Sequence, residues 1–298
     1  MKLAIAGGSG FIGQHLIHDW LQSHHEVFLI SRSRQPTHDP KLTSVTWNQL
    51  QEDPQLLEGI DALVNLAGES INQRWTAAAK HRIIQSRLDT TGRIADLVSR
   101  LEHKPSVVVN ASGMSIYGLS ETQTFVEESP HVHDHFLSDV VEEWERAADQ
   151  IPVDRLVKLR VGIVLGMDGG AFPKMYMPYR LFVGGKVGSG RQWLSWIHAE
   201  DMVRLINFCI EHPAIKGPVN GTAPNPLTND QFGRVVGKVA GRPHWMPVPS
   251  FVMKTLFGEL SVLLLEGQKV LPKKVLDHGF EFKYPTLDVA LKELLRNE

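Results

Sequence analysis

Seven residues near the chain start, Gly7-Gly8-Ser9-Gly10-Phe11-Ile12-Gly13, follow directly on the apolar segment Leu3-Ala4-Ile5-Ala6. Read from Gly8 they form GxGxxG, and read from Gly7 they also satisfy the tighter GxxGxxG. The motif alone is weak, but here it leaves a strand and opens a helix on which Ile12, Leu16, Ile17, Trp20 and Leu21 share one face. Residues without Cβ let the turn close and let backbone N–H groups approach a pyrophosphate at the positive end of the helix. This context predicts a dinucleotide held at Gly7, Gly10, Phe11, Ile12 and Gly13.

The unit recurs along the first half of the chain. Glu26–Ile30, Ala62–Leu66, Ser106–Asn110 and Arg155–Arg160 read as buried parallel strands, because they lack the polar alternation of a half-exposed sheet. Helical patterns separate them at Ala77–Leu101 and Val140–Ala148, with another at Glu200–Cys209. The expected fold is α/β: a doubly wound parallel sheet (Rossmann) with a smaller C-terminal substrate lobe. Residues 1–166 form the dinucleotide domain, with 195–222 returning to it. Residues 167–194 make a cleft loop, since glycine, proline, methionine and aromatics crowd between Gly166 and Gly190 without periodicity. Residues 223–298 form the C-terminal lobe. There Thr228-Asn229-Asp230-Gln231 opens a helix reaching about Ala240, Phe251–Gln268 is helix-like, and Leu287, Ala290, Leu291, Leu294 and Leu295 mark a last amphipathic helix.

The second strand ends at Ser31-Arg32-Ser33-Arg34, about 20 residues past the glycines. An NAD site places a carboxylate there for the ribose hydroxyls, whereas arginine suits a 2′-phosphate. NADP is therefore the expected cofactor, with Arg32 as its discriminating contact and Ser31 as an added hydroxyl donor.

With Asn65-Leu66-Ala67-Gly68, Tyr117-Gly118, Arg160-Val161-Gly162 and Trp196-Ile197-His198-Ala199-Glu200-Asp201 added to the glycine turn, the chain resembles the extended short-chain dehydrogenase/reductase superfamily, in its NAD(P)-dependent epimerase/dehydratase branch. More narrowly, Arg74-Trp75, Ser86-Arg87, Gly188-Ser189-Gly190, Thr222-Ala223-Pro224-Asn225-Pro226 and Leu265-Glu266-Gly267-Gln268 resemble a subfamily called epimerase family proteins, which end in a small C-terminal domain of unknown function. The resemblance implies cofactor contacts at Ser31, Arg32, Leu66, Ala67 and Arg87. Gly68, Glu69 and Arg160 complete the expected set. Arg74, Trp75 and Lys80 belong to the same polar insert, which should face the cleft and suits an anionic or planar ligand.

The resemblance breaks where that superfamily moves a proton. A Tyr-x-x-x-Lys pair belongs some 20 residues after Tyr117-Gly118, yet Phe136-Leu137-Ser138-Asp139-Val140-Val141-Glu142-Glu143-Trp144 holds neither residue. Gly113 stands where a catalytic Ser or Thr is usual. Ser112 and Tyr117 are the candidate replacements, with Ser115, Asp139 and His198 behind them. The expected function is an NADP-binding, epimerase/dehydratase-like oxidoreductase acting on a small molecule at a nonstandard site. The alternative is an NADP-binding regulatory or interaction protein without turnover.

Composition narrows the partners. A net charge of −2 with 21% charged residues gives no polybasic surface for nucleic acid. The longest apolar stretch, around Ser261–Leu265, is far short of the roughly 18 residues of a membrane span. One cysteine, Cys209, and no apolar leader after Met1-Lys2 fit a reducing, cytoplasmic setting. His131, His133, Asp134 and His135 follow Ser129-Pro130 in a loop without a second ligand group at characteristic spacing, so no metal is expected. The oligomeric state stays open.

Overall fold

The computed structural model describes residues 1–296. Seven strands, β1 (Lys2–Ala6), β2 (Glu26–Ser31), β3 (Leu42–Thr46), β4 (Ala62–Asn65), β5 (Val107–Gly113), β6 (Leu156–Val161) and β7 (Gly217–Gly221), form one sheet in the order β3-β2-β1-β4-β5-β6-β7. Every pairing is parallel. The order reverses between β1 and β4, and a crevice opens at the carboxyl ends of strands at such a point. Ala6 pairs with Asn65 at that edge.

The strands are apolar throughout because both faces are covered. Leu3, Ile5, Val64, Val107 and Val109 face one core with Leu16 and Trp20 of helix α1 (Phe11–Gln22). Ala4, Leu63 and Val108, their alternate neighbours, face the other with Ile94, Leu97 and Val98 of helix α2 (Ala77–Arg100). Helix α2 begins where Thr76 Oγ1 accepts the Ala79 N–H at 3.2 Å. Helix α3 (Phe136–Ala148) packs along α2, and α5 (Ala199–Glu211) packs along α1. Among the described residues no helix is long and apolar enough to cross a membrane.

A further core lies off the sheet. Phe172, Tyr176 and Tyr179 of α4 (Phe172–Arg180), Phe232 and Val236 of α6 (Asn229–Ala240) and Leu291 of α8 (Leu287–Leu294) meet around Trp196. Helix α6 starts with the expected capping box, Thr228 and Gln231 exchanging side-chain to backbone hydrogen bonds, and ends on left-handed Gly241.

Three expectations are corrected. The edge strand β3 has no counterpart in the sequence reading, because only Val45 of its five residues is buried and no apolar run announces it. The stretch read as loop between Gly166 and Gly190 contains α4, whose buried aromatics recur at helical spacing while Pro173 and Pro178 mask it. Phe251–Gln268 is not one helix. Helix α7 (Ser250–Phe257) stops at Gly258, where φ is +57°, and a 3₁₀ turn (Gly258–Ser261) and a short helix (Val262–Leu265) follow. Lys269–Val270 then pairs with Thr124–Phe125.

Candidate functional site

The glycine turn sits at the β1 edge of the crevice. Gly7 has φ +85°, and the Gly10 N–H closes the turn on Gly7 O at 3.0 Å. A Cβ on Gly7 would stand 2.6 Å from the backbone of Leu66 and Ala67, and one on Gly13 would stand 2.5 Å from Gly7 O. Gly10 is the N-cap of α1 and brings no capping side chain. The first N–H groups of that helix are thus left for an external acceptor, which is what a pyrophosphate supplies. The Phe11 and Ile12 side chains pack against the core, so these residues can reach a ligand through their N–H groups. The loop 166–170 wraps Phe11: a Cβ on Gly169 would stand 2.5 Å from its ring. His15 Nε2 lies 2.9 Å from Asp168 of the same loop.

Beyond β2, Arg32 and Arg34 are exposed and have no ion-pair partner among the described residues. Ser31 Oγ donates to Ser33 O at 2.6 Å and fixes the bend that presents them. Across the crevice, Asn65 Nδ2 donates to Asn110 Oδ1 at 2.7 Å and ties the ends of β4 and β5 together. Asn65 Oδ1 then accepts the Ala67 N–H and aims the segment Leu66, Ala67, Gly68, Glu69 over the crevice.

Arg87 braces that segment from α2. Its Nη1 donates to Glu69 O at 3.1 Å and to Ile83 O at 2.8 Å, and its guanidinium lies 5.0 Å over the Trp144 ring. Burial lowers its pKa to about 10 against the pull of Glu69, so it stays cationic at neutral pH. A Cβ on Gly68 would stand 3.0 Å from the guanidinium carbon, so glycine is what lets loop and cation touch.

Arg160 is placed elsewhere. Its side chain is 1% exposed and pairs with Glu145 of α3 through both Nε (2.7 Å) and Nη2 (2.9 Å). Its Nη1 donates to Tyr117 Oη at 2.9 Å, and its Nη2 lies 2.9 Å from His131 Nε2. The sequence reading put Arg160 on the cofactor; every guanidinium nitrogen is instead taken up inside the protein.

The same network claims both candidate catalytic hydroxyls. Ser112 Oγ donates to Glu145 Oε1 at 2.7 Å. Tyr117 is fully buried and donates to Asn220 Oδ1 at 2.7 Å, and burial pushes its pKa up to about 12. A phenol so enclosed holds its proton and reaches no substrate. Tyr117→Phe is expected to cost about 1–2 kcal/mol of stability, the worth of its hydrogen bonds. NADPH affinity should be untouched, and a fully stable variant that lost NADPH would return Tyr117 to the site.

At the positions of the absent proton-transfer pair the surroundings are apolar. Phe136 meets Trp75 edge-on with ring centroids 5.2 Å apart, and Val140 packs with Trp75, Ile83 and Leu137. Leu260 and Leu263 reach in from the C-terminal segment to cover this cluster. Lys80 Nζ lies 5.1 Å over the Phe136 ring and is ion-paired with Glu259. Sequence reasoning missed Glu145, Asn220 and Glu259, because their roles depend on partners far away in the chain. Asp139 is a surface partner of His133, and His198 caps α5 and contacts Glu293 at 2.9 Å. Among the described residues no three His, Cys, Asp or Glu side chains are grouped to hold a metal.

Comparison with known proteins agrees with this architecture. Residues 3–144 match the model of the NAD dependent epimerase/dehydratase family, and residues 248–294 match a domain of unknown function, DUF1731. The chain is 41% identical over 298 residues to the epimerase family protein YfhF of Bacillus subtilis, covering 99% of this chain and 98% of the relative. It is 39% identical over 305 residues to the chloroplastic SDR39U1 homolog of Arabidopsis thaliana, covering 99% and 87%. The crystal structure of human epimerase family protein SDR39U1 with NADPH superposes with a TM-score of 0.93 at 38% identity, covering 100% of both chains. This chain, which joins a segment matching the NAD dependent epimerase/dehydratase family to a DUF1731 C-terminal segment, therefore belongs to the epimerase family proteins.

Proposed function

We propose that the chain binds NADP(H) and acts as an NADP-dependent oxidoreductase on a small molecule held in the crevice. The observation that carries this reading is the unpaired Arg32 at the end of β2, where an NAD site would have a carboxylate. The human relative crystallised with NADPH supports it. The N–H groups at the start of α1 hold the pyrophosphate, and Arg32, joined by Ser31 once its hydroxyl turns from Ser33 O, holds the 2′-phosphate with Arg34 adding charge. Leu66, Ala67 and Gly68 lie along the adenosine side. Arg87 keeps its Nε and Nη2 for a ribose or phosphate, since among the described residues only Nη1 is engaged in hydrogen bonds. The bound nicotinamide would supply hydride chemistry; this chain's own part is to orient it and to exclude water with the Trp75, Phe136 and Leu260 cluster. Beside that same cluster the Lys80 ammonium is tied to Glu259, which favours a second reading in which the cofactor is bound and no turnover follows. Buried, reduced Cys209 fits our placement in the cytoplasm, although the Arabidopsis relative is chloroplastic.

The test is a titration with NADPH and NADH. Arg32→Ala should weaken NADPH about 10- to 100-fold, the worth of a charge-assisted phosphate contact, and leave NADH unchanged. Equal affinities in wild type, unaltered by the substitution, would sink the assignment.

A further inference from the structure

A soluble fold seldom leaves large apolar side chains clustered on its surface without a use for them. Here Leu181 (65% exposed), Phe182 (53%) and Trp245 (64%) stand together, and Phe251 (70%) and Leu256 (69%) follow on α7. Helix α7 contributes no buried residue at all. The patch is built rather than frayed. Trp245 Nε1 donates to Phe182 O at 2.9 Å, the Trp245 and Met246 N–H groups both donate to Gly184 O, and the Val248 N–H donates to Lys186 O at 2.8 Å. Two segments thus run side by side as a ribbon, and α7 begins two residues after Val248.

Charge says what this face fits. Residues 169–199 contain no Asp or Glu, and neither do residues 231–258. Asp230 and Glu259, which bound the second stretch, are held in ion pairs by Arg234 and Lys80. Within the acid-free stretches Lys174, Lys186, Lys238 and Lys254 are exposed and unpaired among the described residues, while Arg242 lies 4.4 Å over the Phe182 ring. These stretches therefore carry cations beside exposed Leu, Phe and Trp, and Glu121, which reaches them from outside, is ion-paired with Arg191.

We propose that this face docks on an anionic lipid surface, the rings and leucines entering the headgroup boundary and the lysines meeting the lipid charge. A second copy of the chain is the poorer occupant, since a two-fold contact would set the same cations against each other. The absence of a spanning helix is no obstacle to docking of this peripheral kind.

Full-length protein should sediment with vesicles of phosphatidylglycerol and phosphatidylcholine at least about tenfold better than with pure phosphatidylcholine, and the difference should shrink as salt rises. Leu181→Ser/Phe182→Ser should reduce binding to the anionic vesicles about tenfold or more. Lys186→Glu/Lys254→Glu, which leaves the apolar residues in place, should do the same. NADPH affinity, unchanged in both variants, certifies their fold. A shift of Trp245 emission on adding anionic vesicles, lost in Trp245→Phe, would place the ribbon at the lipid. Equal binding to both vesicle types, or none, would overturn the proposal. So would a dimer by light scattering that both variants dissolve, for it would give the face to a second copy.

Discussion

Arg160→Met is expected to cost about 3–5 kcal/mol of folding stability, read as a shift in the urea midpoint at constant slope. The substitution leaves Glu145, 3% exposed, with a buried carboxylate facing Ser112 and the more distant Lys158 at 3.6 Å. It also removes the donor that meets Tyr117 Oη. Breaking one side of a buried pair costs far more than the pair contributes, because the remaining charge stays without its solvent or its partner. Arg160→Met/Glu145→Leu should therefore recover much of the loss, and a double variant no better than the single would show that the loss is not the penalty of an orphaned Glu145 charge. A pH dependence follows from the same contact. The Arg160 guanidinium and the Ser112 hydroxyl hold the Glu145 pKa below the ordinary carboxylate value against the opposing effect of burial. Its contribution is fully present above the unfolded-state value of 4.5 and is lost as pH falls through the lower folded-state value. Acid denaturation of wild type should steepen in that window, and the double variant should be flatter there. A loss under about 1 kcal/mol for Arg160→Met would mean that the buried pair is not what holds β5, β6 and α3 together.

Much of this architecture was visible in the chain itself, and what escaped has a physical reason. The glycine turn, the buried strands and the break in the proton-transfer motif are local signals, carried by residues adjacent in sequence. Arg160 is the opposite case. Its string, Arg160-Val161-Gly162, marks the family, but where the guanidinium goes is decided by Glu145, by Tyr117 and by His131. No spacing rule links those positions. The same holds for Lys80 and Glu259, which meet only because the C-terminal segment folds back over α2. Helix α4 was hidden by its prolines, and the division of Phe251–Gln268 turned on Gly258 alone. At Phe136 and Val140 the sequence showed what was missing, while the structure adds that Trp75, Leu260 and Leu263 close the space.

The glycine turn gives the second large effect, because its glycines are not equivalent. Gly13→Ala is expected to weaken NADPH binding about 100-fold or more, a loss of roughly 3 kcal/mol. An added Cβ would stand 2.5 Å from Gly7 O and 2.6 Å from Gly8 Cα, and backbone atoms cannot swing aside as the end of a side chain can. Helix α1 would have to move off the turn and carry its first N–H groups away from the phosphates. Gly7→Ala should be comparable. Its Cβ would meet the backbone of Leu66 and Ala67 at 2.6 Å, and φ +85° adds about 1–2 kcal/mol of strain for any L side chain. Gly10→Ala provides the contrast. Its φ of −77° suits alanine, and its Cβ would meet only Gly7 O at 3.3 Å. Its effect on the fold should be slight, and any loss of NADPH affinity reports the methyl group's own approach to the ligand. Thermal midpoints measured beside the titrations separate the two causes. A Gly13→Ala chain that binds NADPH as wild type does would mean that helix α1 can shift without moving its N–H groups, and the anion site would then have to lie elsewhere on the crevice.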